Sequence, residues 1–279
     1  LRKKDYLKIL LEKYYPIHFF SLFRAHELYS VSPFLKYLQH PILDLGCGDG
    51  LIAQILFNEK VEYGIDASEN AVNSASKKDI YNQIFLGSAH NIPIPDNSLG
   101  GIFSNCVFEH IPDIDKLAKE ISRILKPNSY LVTTCLTPQY YELNPLFKLL
   151  NNPITSSIRN ILIEKENELH NHVSIYTADE YKKIFAKYGL LLERQKYYST
   201  KHSINKTCLL DTLSKFRWSK NLTHRGLYID YLYKKYPSNK KDEVISKWYE
   251  SLYDYCYNEN SSNEEGTAQV LVFKKVLNV

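Results

Sequence analysis

The run Ile42-Leu43-Asp44-Leu45-Gly46-Cys47-Gly48-Asp49-Gly50 decides the fold. Four mostly apolar residues suit a short buried strand, and the glycines behind them mark a sharp turn. From Leu51 to Phe57 the apolar residues recur at helical spacing. Glycine carries no side chain, so a ligand can approach the main chain of such a turn closely. The first N–H groups of the helix beyond it lack intrahelical partners and suit an anionic end of a ligand. In an open parallel sheet the first strand borders the switch point beyond which ligands bind.

The same alternation extends outward from this run. Val61–Asp66, Gln83–Leu86, Gly101–Asn105, Tyr130–Cys135, Leu190–Tyr198 and Thr267–Val276 read as further strands. Between them lie a helix capped by Ser68 and running through Lys78, an amphipathic helix over Asp113–Leu125, and a helix capped by Thr177 and closed by Gly189. The expected fold is α/β, a seven-stranded, mostly parallel sheet with helices on both faces. The expected organisation is an N-terminal helical arm over 1–40, a core over 41–135 and a cap insertion over 136–176. A core helix and strand over 177–198, a second helical insertion over 199–265 and a last core strand over 266–279 complete it.

Composition bounds the function. The 279 residues carry 35 basic and 31 acidic side chains, a net charge of +4, which is too modest for a nucleic-acid footprint. No apolar run reaches the roughly 20 residues needed to span a bilayer. The charged start Leu1-Arg2-Lys3-Lys4-Asp5 lacks the apolar stretch of a secretory signal. Five widely spaced cysteines, with no C-x-x-C pair, point away from a disulfide framework and toward a reducing cytoplasm. The chain holds no methionine and 23 tyrosines.

From Gly46 the loop reads G-C-G-D-G-L, so its third glycine comes one residue earlier than in the dinucleotide pattern G-x-G-x-x-G. An acidic residue, Asp66, ends the second strand twenty residues after Gly46, a spacing that suits a carboxylate gripping ribose hydroxyls. D-L-G-C-G-D-G followed by G-I-D-A-S resembles the class I S-adenosylmethionine-dependent methyltransferases. The stretches N-I-P-I-P-D-N-S, S-N-C-V-F-E-H-I-P-D and R-I-L-K-P-N-S-Y-L-V resemble the small-molecule branch with a type-11 methyltransferase domain. The resemblance runs from Pro41 to Cys135 and resumes weakly at Tyr176–Tyr198 and at the last strand.

That resemblance implies a Rossmann-like sheet, S-adenosyl-L-methionine as cofactor, S-adenosyl-L-homocysteine as product, and a small-molecule acceptor. It places Asp44, Gly46, Cys47 and Gly48 around the methionine portion of the cofactor, Asp66 on the ribose and Ala67 beside the adenine. Ser88 and Ala89 stand where the family usually has Asp-Ala at the adenine amino group. Asn105 falls near the sulfonium end. Three positions depart from the family pattern: Ser88 for aspartate, Gly100 for aspartate, and Asn128-Ser129 for a glycine pair. Asparagine tolerates the left-handed backbone that such a turn needs.

Other residues have two readings each. His110, after the fourth strand, is a candidate general base or a positioning residue. Glu109 beside it suits a local hydrogen-bonding role. His170-x-His172, near Glu166 and Glu168, reads as a solvated helical surface and not a metal site, because positions two apart face different sides of a helix. Arg24 and His26 could close over a ligand or serve as surface helix charges. Cys106 and Cys135 read as small buried residues, and Lys240-Lys241-Asp242-Glu243 as an exposed helix start. Tyrosines 140, 141, 197, 198, 228, 231 and 233 could line a pocket or pack. The alternatives in function are a degenerate methyltransferase-fold protein that binds without turnover, an aminopropyl transferase on the same fold, and a dehydrogenase.

Overall fold

The computed structural model describes residues 5–15, 18–201, 217–219, 222–223, 234–257 and 265–277. Tyr228, Tyr231, Tyr233 and Cys208 lie outside the described residues. The chain divides into two compact units. One gathers Leu1–Tyr29, Gln139–Ile163 and Tyr197–Thr267; the other gathers Ser30–Pro138, Glu164–Lys196 and Ala268–Val279.

The sheet contains strands β1 (Ile42–Leu45), β2 (Val61–Asp66), β3 (Tyr81–Leu86), β4 (Leu99–Asn105), β5 (Leu125–Leu136), β6 (Leu190–Tyr198) and β7 (Ala268–Lys275). Their order is β3-β2-β1-β4-β5-β7-β6. β1 runs parallel to β2 on one side and to β4 on the other, which makes its carboxyl end the switch point. β3 and β5 continue the parallel arrangement, and β7 pairs antiparallel to β5. This is the seven-stranded, mostly parallel α/β fold expected from the sequence.

Side-chain spacing explains the helices on the sheet. In α5 (Ile114–Ile124), Ile114, Leu117, Ala118, Ile121 and Ile124 are buried along one face, and the Asp113 carboxylate caps the helix by accepting from the Lys116 N–H. Each of the larger of these side chains gains about 1.5–3 kcal/mol by leaving water. α9 (Ala178–Ala186) starts in a capping box of Thr177 and Glu180 and adds Tyr181 and Phe185 to the same core, where Phe185 stacks on Phe273 of β7. Behind the glycine turn, α3 (Leu51–Leu56) buries Ala53, Ile55 and Leu56, and α4 (Glu69–Ala75) is capped by Ser68.

Two departures from the family pattern have local causes. A Cβ on Gly100 would come within 2.4 Å of the Gln39 carbonyl oxygen, so the crossing backbone excludes aspartate there. Asn128 takes φ +65°, the left-handed conformation expected of it. The fifth strand is longer than its apolar run suggested, because Leu125 also pairs with Leu99 across an irregularity in the ladder.

In the other unit, α1 (Tyr6–Lys13) buries Leu7, Leu10 and Leu11 completely. The Asp5 carboxylate caps it at the Lys8 N–H and accepts from the Tyr249 hydroxyl of α10 (Lys241–Tyr257) at 2.6 Å. In α2 (His18–Val31), Arg24 pairs with Glu27 at 2.6 Å, and the buried Tyr198 donates its hydroxyl to the same carboxylate. Tyr198 therefore packs in a core, and His26 is likewise buried.

The helix α8 (Ser156–His170) follows α6 (Gln139–Glu142) and α7 (Pro145–Leu149). It stops at His170, and Asn171 turns the chain with φ +53°. The expectation of a helix through His172, with the two histidines on different faces, is thereby corrected. With His172 off the helix, its ring stacks on that of His170 at 5.4 Å. No group of three or more His, Cys, Asp or Glu arranged to hold a metal occurs among the described residues.

Candidate cofactor site

Beyond β1 the chain turns through Gly46, Gly48 and Gly50, all at positive φ. The three glycines are needed for different reasons. A Cβ on Gly46 would lie 2.3 Å from a methyl of Val107, so the loop after β4 packs directly on this turn. A Cβ on Gly50 would meet the Tyr81 ring at 3.2 Å. Gly48 faces open space, with nothing within 4 Å. Its missing side chain leaves a cradle at the carboxyl end of β1, where a bound group can reach the backbone.

Main-chain hydrogen bonds tie the turn to β2. The Gly46 and Cys47 N–H groups both donate to the Ile65 carbonyl, at 2.8 and 3.0 Å. The Gly48 N–H donates to Oδ2 of Asp66 at 2.9 Å, and the Ser68 N–H to Oδ1 at 2.9 Å. The Gly48 donor is thus spent on holding Asp66, and the expectation of unpaired N–H groups at the start of the following helix is corrected at Leu51, whose N–H Asp49 accepts. Next to the α3 start, Asp49 accepts from the Leu51 N–H and pairs with Lys78 at 2.6 Å. Desolvation of the Asp49 carboxyl is outweighed by its bonds to Lys78 and Leu51, which hold its pKa below the usual range.

The Asp66 carboxylate is oriented by these two amides and remains half-buried. A carboxylate offers about four lone-pair sites, so two stay available for a pair of hydroxyls. Ala67 is exposed beside it. Opposite Asp66 in the ladder stands Leu86, an apolar side chain 56% exposed at the end of β3. Sequence reading missed Leu86; its signal is an apolar residue ending a strand in register with the acidic one. Ser88 is exposed, and its hydroxyl accepts from the His90 N–H at 3.2 Å, while Ala89 packs against the main core.

Asp44 lies deeper. It is 3% exposed within β1 and accepts from the Tyr81 hydroxyl at 2.6 Å. Burial raises its pKa to about 7; the Tyr81 bond opposes this and the nearby Asp66 charge adds to it. Tyr81 is a second residue that sequence reading missed. The Cys47 side chain turns inward against Gly64, and burial pushes its thiol well above the ordinary value.

At the end of β4, Asn105 accepts from the Thr134 hydroxyl at 3.3 Å, and Cys106 turns at φ +52°. A 3-10 turn over Phe108–His110 follows. It buries Phe108 and Glu109 and leaves His110 exposed, with the His172 ring 5.3 Å away. The Gly48 cradle offers open space, the oriented carboxylate acceptors for hydroxyls and the exposed Leu86 an apolar surface, the chemistry that the portions of an adenosyl cofactor call for.

Residues 43–133 match a family model described as a methyltransferase domain. This segment is a class I S-adenosylmethionine-dependent methyltransferase domain. An uncharacterized methyltransferase of Schizosaccharomyces pombe is 30% identical over 131 residues, 39% of this chain and 47% of that protein. The human mitochondrial arginine-hydroxylase NDUFAF5 is 27% identical over 139 residues, 49% of this chain and 37% of that protein. The chain thus matches about half or less of the length of either relative. Among solved structures, Haemonchus contortus phosphoethanolamine N-methyltransferase 2 shares the fold. It aligns with a TM-score of 0.52 and 18% identity, over 97% of this chain and 61% of that one. The glycine turn and Asp66 both lie inside the matched methyltransferase domain.

Proposed function

We propose that the protein is an S-adenosylmethionine-dependent methyltransferase that moves a methyl group to an O, N or C nucleophile of a small metabolite. The observation that carries this reading is the Gly48 cradle beside a carboxylate held by two backbone N–H groups. Gly46, Cys47 and Gly48 would receive the amino-acid portion of the cofactor through the main chain, and Asp66 the two ribose hydroxyls. Ala67 and Leu86 would flank the base, with Ser88 and Ala89 at its edge. Asn105 would sit near the sulfonium, and Asp44 would support the turn from below through Tyr81.

When bound, the cofactor supplies a methyl carbon already activated by a positively charged sulfur. The remaining work of the chain is to align an acceptor, exclude water and, for an acceptor that must lose a proton, accept it. His110, exposed at the end of β4, is the candidate base for that proton. No described helix is long and apolar enough to cross a membrane. The buried Cys47 and Cys135 are thiols and not disulfides, which suits a reducing cytoplasm. Calorimetric titration with S-adenosylhomocysteine tests the reading: saturable one-to-one binding supports it, and no binding by the folded chain counts against it.

One observation favours a second reading. A relative matching 49% of this chain is named an arginine-hydroxylase, so a domain of this kind also occurs in a protein named for other chemistry. Release of one S-adenosylhomocysteine per acceptor modified separates the two; acceptor oxidation without it supports the second.

A further inference from the structure

His110 is gripped on both sides. The N–H groups of Val173 and Ser174 both donate to the carbonyl of Glu109, at 2.8 and 3.1 Å. The Ser174 hydroxyl, buried, donates to the carbonyl of Ile111 at 2.6 Å. Val173 and Ser174 therefore bond to the residue before His110, and Ser174 also to the residue after it. Asn171 reaches the ring itself: Nδ1 of His110 lies 3.2 Å from its carbonyl oxygen. The left-handed conformation of Asn171 aims that carbonyl, and Asn167 anchors the next residue by accepting the His172 N–H at 2.9 Å.

The chemistry of this contact has one outcome. A carbonyl oxygen only accepts, so the ring nitrogen facing it carries the proton. Neutral imidazole has a single N–H, and its other nitrogen is then a bare lone pair. We propose that Asn171–Ser174 is a positioning strap that holds His110 as its Nδ1–H tautomer, with Nε2 left as the proton acceptor, and that Ser174 is the positioning residue. The inference rests on the methyltransferase reading and deepens it. In the step it serves, an acceptor O–H or N–H bond breaks, the proton goes to Nε2, the electron pair stays on the acceptor atom, and the ring becomes imidazolium. The Nδ1–H bond to Asn171 persists in both charge states, so the ring need not turn as it accepts the proton.

The strap also accounts for the bonding of a buried serine to both neighbours of His110, more than sixty positions away. The tautomer preferred by an unheld imidazole in water has its proton on Nε2, so the strap must supply the opposite preference. Elsewhere in the same unit His90 is held the other way, with Nε2 at 3.0 Å from the Asp113 carbonyl oxygen. It forms a built-in control.

The test is ¹⁵N spectroscopy of the full chain labelled at histidine, at a pH above the titration of the ring. The His110 signal is the one lost in His110→Gln. Its pattern is expected to be that of the Nδ1–H form, while His90 shows the Nε2–H form. In Ser174→Ala the His110 pattern is expected to shift toward Nε2–H, with His90 unchanged. A His110 signal in the Nε2–H form in the unsubstituted protein overturns the proposal, as does Ser174→Ala with an unaltered His110 pattern. If Ser174→Ala does not fold, the tautomer in the unsubstituted protein alone decides. S-adenosylhomocysteine titration of the same samples keeps the outcomes apart. A wrong tautomer with intact binding refutes the strap, and absent binding with the expected tautomer refutes the methyltransferase reading.

Discussion

At the residue scale, two aspartates on neighbouring strands have opposite tasks. Asp66 is held at the surface by the Gly48 and Ser68 amides with lone pairs to spare. Asp66→Ala should weaken S-adenosylhomocysteine binding by about 10- to 100-fold, the effect of losing hydrogen bonds to a charged group worth about 1.5–3 kcal/mol. Calorimetry checks it, and unchanged affinity refutes the ribose role. Asp44 is instead buried, and its pKa stands near 7 in the folded chain against 3.8 as the ordinary value. Between those values the unfolded chain has lost the Asp44 proton while the folded chain retains it. Stability from this group is therefore full below about pH 4 and drains away as pH rises to about 7. Asp44→Asn, which carries no charge to bury, should melt higher than the unsubstituted protein at pH 8. The gain should shrink toward pH 5, with a ceiling of about 4 kcal/mol. Thermal melts across that range measure it, and a gain independent of pH contradicts the assignment.

At the element scale, the β1–α3 turn separates packing from binding. Gly46→Ala drives a methyl into Val107 and strains a left-handed backbone, so it should lower the melting temperature strongly. Gly48→Ala meets no protein atom and should cost only about 1 kcal/mol of backbone strain, yet fill the cradle and reduce cofactor affinity. Melting curves and titrations on the two variants should rank them in opposite orders; equal loss of stability in both removes the cradle. The turn is legible in the sequence, because three glycines closing a short apolar run force the chain to bend sharply where a buried strand ends. The strands and the buried faces of α5 and α9 are legible in the same way, since each follows from local periodicity. What was not legible came from distant pairings. Nothing near Tyr81 announces its bond to Asp44, and nothing near Gly100 announces the carbonyls of Gln39 and His40. The run His170-Asn171-His172 has helical composition, but the left-handed turn at Asn171 ends the helix and brings those rings together.

At the scale of the whole molecule, burial sorts the cysteines. Cys47, Cys135 and Cys256 are buried, and burial pushes the thiols of Cys47 and Cys135 up, whereas Cys106 is partly open. A brief iodoacetamide pulse on the native chain, read by peptide mapping, should label Cys106 well ahead of Cys47 and Cys135. Rapid labelling of Cys47 would mean that the turn is not packed as described. The two compact units each draw on three separated stretches of chain. Contacts between segments far apart in sequence leave no periodic trace. Every proposed cofactor residue lies between Asp44 and Asn105, within one of the two units. The most direct test of the site is isothermal titration of the full chain with S-adenosylhomocysteine. The account requires saturable binding at one molecule per chain, lost or sharply weakened in Asp66→Ala. A folded chain that takes up none contradicts it.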